Sequence, residues 1–193
     1  MKKLLPLLLC LLLLLSGCSL EKLMAMETHE ANPVSSDCTA LVFGAREENG
    51  PVWVVTDAKT IAGLRNSYQW THDHMLCCLE GTVTDYIDFV EGSTLAPWEL
   101  SKHKLYQEEN VLSYNAAFRQ RLRTARDRAV PMHRTVVQVV SAARLGDIRS
   151  ALPGCIAVCG QSSAGTTVHI ITPEPLTPNE LAALAALPGV TLP

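Results

Sequence analysis

Short runs of β-branched and aromatic residues, bounded by Gly, Pro, Asn and Asp, recur along most of this chain. Such runs are typical of strands, because branched and aromatic side chains pack well on a pleated surface. Turn residues from Glu47 to Gly50 predict a tight connection between the first two runs. The runs predict strands at residues 39–45, 51–56, 135–140, 156–158 and 166–172, and one or two strands within residues 76–90.

Helical periodicity alternates with these strand patterns. Asp57 can cap a helix that reaches residue 68, and Thr177 to Glu180 form a capping box with proline at the first helical position. Residues 93–109 fit either a helix start or an edge strand at Pro97. Apolar residues recurring every three or four positions predict helices at residues 57–68, 112–129, 141–152 and 178–187.

A strand, a cap and a helix follow one another three times with irregular spacing. This order predicts an α+β fold, in which helices pack on one face of a mixed or mainly antiparallel sheet. The apolar stripes of the helices at 112–129 and 178–187 predict which side chains meet the sheet. We expect Phe118, Leu122, Leu181 and Leu184 to be buried, and Arg119, Arg123 and Arg126 to be exposed, because a buried unpaired charge is costly.

The amino-terminal residues follow neither pattern. Lys2 and Lys3 precede twelve apolar residues, Leu4 to Leu15. A helix of twelve residues spans roughly 18 Å, whereas the hydrocarbon core of a bilayer is about 30 Å thick. A positive start followed by so short an apolar run is typical of a secretory signal peptide.

The sequence Leu15-Ser16-Gly17-Cys18, at the end of that run, resembles the lipobox of bacterial lipoproteins. The resemblance implies that Cys18 receives a diacylglyceryl group on its sulfur and becomes the first residue after cleavage. It also implies a protein that is anchored by fatty acyl chains, such as palmitate, to the cell membrane and faces outside the cytoplasm. The lipid on Cys18 would then make the membrane its partner. Two or more acyl chains hold a protein stably, whereas one holds it only marginally.

Three segments follow from this organisation. Residues 1–17 form the signal peptide, and residues 18–37 combine the lipidated cysteine with a polar, aperiodic tether. Residues 38–193 form one α+β domain, which is long enough to bury its own core. The whole chain carries a net charge of −3, and removing Lys2 and Lys3 makes the remainder more acidic. General nucleic-acid binding needs a basic footprint, so we expect no nucleic-acid partner.

Five cysteines remain after Cys18, outside the reducing cytoplasm, which leaves disulfides and small buried thiols as open alternatives. If residues 155–159 form a strand, the two cysteines at its ends lie about 13 Å apart and face the same side. A disulfide needs Cα atoms within about 7 Å, so these two are not expected to bond to each other. The candidates for disulfides are Cys38, Cys77, Cys78, Cys155 and Cys159.

A second group of candidates combines imidazole and thiol side chains. In an extended segment His72, His74 and Cys78 share one face, and imidazole with thiolate suits zinc or copper. Structural zinc sites usually show a second pair of ligands at regular spacing, and none is visible here. The alternative is a polar loop that leads into a strand, and we expect no cofactor.

Two polar segments have ordinary explanations beside functional ones. The helix at 112–129 carries five arginines, which could meet an anionic membrane surface but also favour a helix carboxyl end and cover apolar surface. Residues 160–165, GQSSAG, lack the pattern of a nucleophile elbow or a phosphate loop and predict a hairpin turn. His169 lies in the strand that follows, with no acid or base partner that the sequence identifies. The arginines are Arg119, Arg121, Arg123, Arg126 and Arg128.

These patterns carry no catalytic motif, so the expected function is that of a non-enzymatic envelope protein. Its lipid-anchored domain would bind a small ligand or another envelope component. The alternative is a metal- or thiol-active envelope protein that uses His72, His74, Cys77 and Cys78.

The lipid anchor is directly testable. Cells labelled with a fatty-acid analogue should tag the wild-type chain, and Cys18→Ala should abolish the tag, because that sulfur is the predicted acceptor. A Cys18→Ala variant that stays labelled and membrane-bound would contradict the prediction.

Overall fold

The computed structural model describes residues 32–44, 49–69, 85–101, 104–107, 110–162 and 165–192. Within these residues the chain forms four α-helices, a short 3-10 helix at Ala142–Arg144, and ten strands of one sheet. The helices are α1 (Ala58–Ser67), α2 (Ala116–Asp127), α3 (Leu145–Ala151) and α4 (Pro178–Ala185). The strands are β1 (Cys38–Phe43), β2 (Gly50–Val55), β3 (Asp85–Glu91), β4 (Thr94–Leu100), β5 (Lys104–Gln107), β6 (Asn110–Ser113), β7 (Val130–Val139), β8 (Ile156–Ser162), β9 (Gly165–Thr172) and β10 (Val190–Thr191).

Seven of these strands close into a barrel. They run in the order β3-β1-β2-β7-β9-β8-β4, and β4 pairs back onto β3. The pairs are antiparallel except for β4 with β8, which run parallel where Thr94 meets Cys159. The β5–β6 hairpin extends from β4, and β10 pairs with β7. Closure gives these seven strands partners on both sides, which removes the exposed edges of an open sheet.

Alternating side chains divide the barrel into an inside and an outside. Partnered residues on adjacent strands point the same way, so Val42 of β1 faces inward with Val54 of β2. The resulting inner cluster is aliphatic and tightly buried. It comprises Ala40, Val42, Val52, Val54, Val90, Leu95, Val158 and Ile171, with Met132 and Ile156 packed against it.

All four helices contact the outer face of the sheet, at two separate places. The first outer core lies between α1, α2 and strands β1, β3 and β4, and contains Phe43, Phe89 and Phe118. The second lies between α3, α4 and strands β7, β8 and β9, and contains Ile148, Ile170 and Leu184. The α+β prediction of a mainly antiparallel sheet with helices on one face is therefore confirmed. Closure of that sheet into a barrel is not predicted by the sequence pattern.

Several elements differ from their predicted bounds. The helix predicted at 112–129 begins at Ala116, because residues 110–113 pair with β5 and Asn115 caps the helix. The ambiguous segment 93–109 contains strands β4 and β5, and Pro97 lies within β4. Strand β7 begins at Val130, five residues before the predicted start.

The chain packs against the domain before β1 begins. Val34 is fully buried in the first outer core, next to α1. Asn32 donates a hydrogen bond through Nδ2 to the Arg65 carbonyl oxygen at 2.8 Å. Arg65 in turn donates through Nη1 to the carbonyl oxygens of Ser35 and Ser36. Residues 32–37, predicted as part of the tether, are thus held by α1.

A charged pair lies inside the apolar barrel. Arg134 of β7 is 1 % exposed, and its Nη2 lies 2.7 Å from Oδ2 of Asp88 on β3. Two strands, β1 and β2, separate β7 from β3 around the ring, so the guanidinium reaches across the lumen. Both residues lie at inward positions, because Asp88 partners Val42 and Arg134 partners Ile171. The pair therefore links two separated strands of the barrel.

Replacing one member of this pair should be far more costly than breaking a surface pair. In Asp88→Leu the guanidinium loses its buried counter-ion, which typically lowers the free energy of unfolding by about 3–5 kcal/mol. The double variant Asp88→Leu/Arg134→Met should recover most of that loss, because both charges of the pair are then removed together. Urea denaturation measures both.

Arg144 and Asp147 provide the matched control. Their side chains are 35 % and 47 % exposed, and pairs of this kind contribute about 0–1 kcal/mol. A loss in Asp88→Leu no larger than that in Asp147→Ala would contradict the role assigned to the lumen pair.

Candidate anion-binding pocket

Helix α2 is positioned by its amino-terminal cap and its apolar stripe. Asn115 accepts a hydrogen bond through Oδ1 from the Phe118 backbone nitrogen at 2.8 Å, which satisfies one of the free donors of the first turn. Phe118, Leu122 and Ala125 are buried against the barrel. The Phe118 ring also packs against Tyr114, with ring centroids 5.3 Å apart. These contacts fix which side of α2 faces solvent.

The predicted burial of the two helices is largely confirmed. Phe118 and Leu122 of α2 and Leu184 of α4 are buried. Leu181 is only half-buried, contrary to the prediction, and lines an open cleft next to β7. Arg123 and Arg126 are exposed as predicted. Arg119 is half-buried instead, and its Nε is enclosed without a hydrogen-bond partner.

Three of the five arginines of this segment surround one pocket. Arg119, Arg123 and Arg126 recur at helical spacing and therefore lie along one side of α2. They border a pocket of about 130 Å³ whose lining also includes Phe43, Leu100 and Leu122. Arg121 and Arg128 do not line it. The pocket thus combines an apolar interior with a cationic rim.

Charge at the rim is only partly neutralised within the described residues. Arg126 forms an ion pair with Asp85 at the start of β3. No acidic residue of the described chain is paired with Arg119 or Arg123. Two guanidinium groups thus have donors to offer an incoming anion, and guanidinium binds carboxylate and phosphate in a bidentate geometry.

The base of the pocket is polar at one point. Tyr114 donates its hydroxyl proton to the Ser101 carbonyl oxygen at 2.8 Å. Burial raises the pKa of Tyr114 to about 12, although the nearby charges of Arg119 and Arg123 act in the opposite direction. The hydroxyl is therefore protonated and already committed as a donor at neutral pH.

The predicted cysteine sites divide between described and undescribed segments. Cys38, Cys155 and Cys159 are free thiols, and Cys77 and Cys78 lie outside the described residues. Cys155 and Cys159 pack against the second outer core and are free thiols in this structure. Cys38 is buried, and burial raises the pKa of its thiol to about 11, so it behaves as an unreactive core side chain.

The predicted metal ligands cannot be placed. His72, His74 and Cys78 all fall outside the described residues, as does Cys18. In the segments that the structure describes, no three His, Cys, Asp or Glu side chains are close enough to share a metal ion. The His-Cys site stays a prediction from sequence.

The segment predicted as a hairpin turn continues β8 as far as Ser162, which pairs with Gly165 at the start of β9, and residues 163 and 164 lie outside the described residues. His169, also on β9, points into the barrel and is 5 % exposed. A side chain at Gly160 would collide with the imidazole, because a Cβ there would lie 2.4 Å from His169 Nε2. Glycine at position 160 therefore makes room for the ring. Burial, and secondly the charge of Arg134, lowers the pKa of His169 to about 4.

His169 lies inside the barrel and does not line the pocket of α2. Its Nδ1 is buried without a hydrogen-bond partner, and the ring is neutral at physiological pH. The imidazole belongs to the polar part of the barrel interior, together with Arg134 and Asp88. The sequence did not predict that Asp88, Arg134 and His169 lie together, because they belong to three separate strands, β3, β7 and β9.

Similarity to known proteins is confined to part of the chain. No family model and no solved structure matches this chain. A 78-residue segment is 35 % identical to a protein of Arabidopsis thaliana described as serine carboxypeptidase-like 38. That segment is 39 % of this chain, and it spans only 15 % of the plant protein. The likeness is too partial to show a family.

The buried imidazole predicts a loss of stability in mild acid. The pKa of His169 is about 4 in the folded chain and about 6.5 when unfolded, so the unfolded chain binds the proton more readily. Its contribution to stability is complete above pH 6.5 and falls as the pH drops toward 4. At pH 5 the free energy of unfolding should be about 2 kcal/mol lower than at pH 7.5 because of this group.

Urea denaturation of wild type and His169→Gln at both pH values isolates the effect. The variant has no imidazole to protonate, so its loss of stability between pH 7.5 and 5 should be smaller by about 2 kcal/mol. Equal losses in the two proteins would show that His169 is not held neutral.

Proposed function

We propose that this chain is a lipid-anchored, extracytoplasmic envelope protein whose folded domain binds a small anion without transforming it. The observation that carries the binding proposal is the pocket of α2, where Arg119, Arg123 and Arg126 border an apolar interior. A concave, mostly apolar site with a few convergent polar groups is the usual form of a small-ligand site.

The proposed location rests on the amino-terminal sequence. The lipobox at Leu15-Ser16-Gly17-Cys18 supports cleavage and acylation of Cys18. No helix among the described residues is both long and apolar enough to cross a membrane. The proposed attachment to the membrane is the lipid on Cys18, with residues 19–31 as the connection to the domain.

The chemistry of the pocket favours binding over catalysis. Arginine stays protonated at all physiological pH values, and the Tyr114 hydroxyl has a pKa of about 12. A general acid or base works best when its pKa lies near the operating pH. The arginines and the tyrosine can hold and orient an anion, but they are poorly suited to transfer its protons.

Benzoate, a carboxylate on a small ring, tests the proposal. We expect calorimetric titration to detect its binding to the acylated chain in nanodiscs of neutral lipid, after subtraction of empty nanodiscs. Arg123→Gln and Arg119→Gln should each weaken binding about 10- to 100-fold, because each removes a charged hydrogen bond.

Arg121→Gln is the matched control, since this exposed arginine lies on the same helix but away from the pocket. It should leave the benzoate affinity within about twofold of wild type. Binding that is absent, or equally sensitive to Arg121→Gln and Arg123→Gln, would overturn the proposal.

A further inference from the structure

We infer that the pocket of α2 selects a carboxylate that carries a short apolar group, and that it discriminates against bare inorganic anions. This inference rests on the proposed function, because it requires that the pocket binds an anion. It adds the chemical class of the ligand. Three features of the pocket support this class: its volume, the composition of its interior, and the arrangement of charge at its rim.

The volume sets the size of the apolar group. The pocket measures about 130 Å³. A cavity of about 150 Å³ lined by aliphatic and aromatic side chains is known to accommodate a benzene molecule. A group of about four to six carbon atoms therefore fills the available space, whereas a single small ion leaves most of it empty.

The interior favours such a group energetically. Leu122 and Phe43 are buried side chains of α2 and β1, and Leu100 of β4 is half-buried beside them. An apolar stem that enters the pocket leaves water and contacts these apolar side chains. Each methylene that is transferred should improve affinity about fourfold, until the pocket is full.

The rim places positive charge where the head of such a ligand emerges. Arg119 has an enclosed Nε without a hydrogen-bond partner, and Arg123 is exposed one turn further along α2. One carboxylate offers two oxygens, which match the paired donors of a guanidinium. The apolar interior and the rim arginines of the pocket thus match the stem and the carboxylate of one ligand molecule.

The same arrangement is unfavourable for phosphate. A strongly hydrated dianion gains nothing from the apolar interior and loses solvation there. The carboxylate of Asp85 is paired with Arg126 of the rim, and its charge repels a dianion more than a monoanion. The Tyr114 proton is committed to Ser101, so it is not available to an additional anionic oxygen.

The test is a series of ligands titrated into the acylated chain in neutral nanodiscs. From acetate to butyrate to pentanoate the affinity should rise about fourfold per methylene, and it should level off between pentanoate and octanoate as the pocket fills. Hexanol, which has the stem but no charge, and inorganic phosphate should each bind at least about tenfold more weakly than hexanoate.

Two variants separate the roles of interior and rim. Leu100→Ser should flatten the dependence on chain length while leaving acetate affinity nearly unchanged. Arg123→Gln should weaken every carboxylate by a similar factor and preserve the dependence on chain length. If Leu100→Ser does not fold, the wild-type series and Arg123→Gln still decide the question.

The carboxylate could belong to a free acid or to the end of a peptide. Acetyl-alanyl-leucine and its carboxyl amide distinguish these sources, because only the acid retains the charge. Binding of the acid but not the amide, with an affinity near that of hexanoate, supports a peptide terminus. Binding of hexanoate alone supports a free acid, and both results support the inferred chemistry.

The outcomes that overturn the inference differ from those that overturn anion binding itself. If phosphate or acetate binds as tightly as hexanoate and Arg123→Gln weakens all of them, the pocket binds anions but does not select an apolar stem. If no anion in the series binds, the inference and the proposed function both fail.

Discussion

The Arg134–Asp88 pair inside the barrel constrains the rest of the fold. Two charges withdrawn from water are costly, and their attraction offsets that cost only when the geometry is good. The 2.7 Å contact across the lumen requires β3 and β7 to hold one relative position. A slip of one residue in either strand would turn its charged side chain outward and its outer apolar residues inward. The pair therefore penalises alternative registers that an aliphatic interior alone would tolerate.

The barrel interior and the proposed ligand site occupy different places in the fold. The charged pair and His169 share the barrel interior with a buried aliphatic cluster. The pocket of α2 lies elsewhere, where α2 meets the outer face of the sheet, and none of these three polar residues lines it. The apolar stripe of α2 packs on the barrel. Arg119 and Arg123 lie beside that stripe, where α2 passes Leu100 of β4, and a pocket forms between them. Interior packing and the proposed binding function are thus carried by opposite faces of the same strands.

Local signals predicted the local structure well. The Asp57 side chain caps α1, and Thr177 and Glu180 form the predicted capping box, because caps depend on residues within one turn. Closure of the barrel depends instead on β4 meeting β8, through Thr94 and Cys159, which are far apart in sequence and carry no pairing signal. Pro97 obscured β4, since proline is uncommon inside strands.

The difference between local signals and contacts of distant residues also explains which features of the pocket the sequence predicted. The periodicity of α2 identified its buried face and hence the side on which most arginines lie. It did not predict that Arg119 is half-buried, because Leu100 of β4, which lines the same pocket, is brought beside α2 only by the fold. The sequence also did not predict the pair of Arg134 with Asp88, because the residues next to Arg134 carry no sign that Asp88 lies across the lumen.

The connection to the proposed lipid anchor relates the pocket to the membrane. Arg65 and Asn32 hold the incoming chain against α1, and α1 packs directly on α2. Residues 18–31 can extend to at most about 50 Å, so a lipid on Cys18, if attached as proposed, would keep the domain within that distance of the membrane. The chain enters at the helical layer that contains the pocket, because α1 and α2 share one outer core. A carboxylate with a short apolar stem is itself amphipathic, and it concentrates at the boundary between lipid and water, within reach of a pocket on this side of the domain.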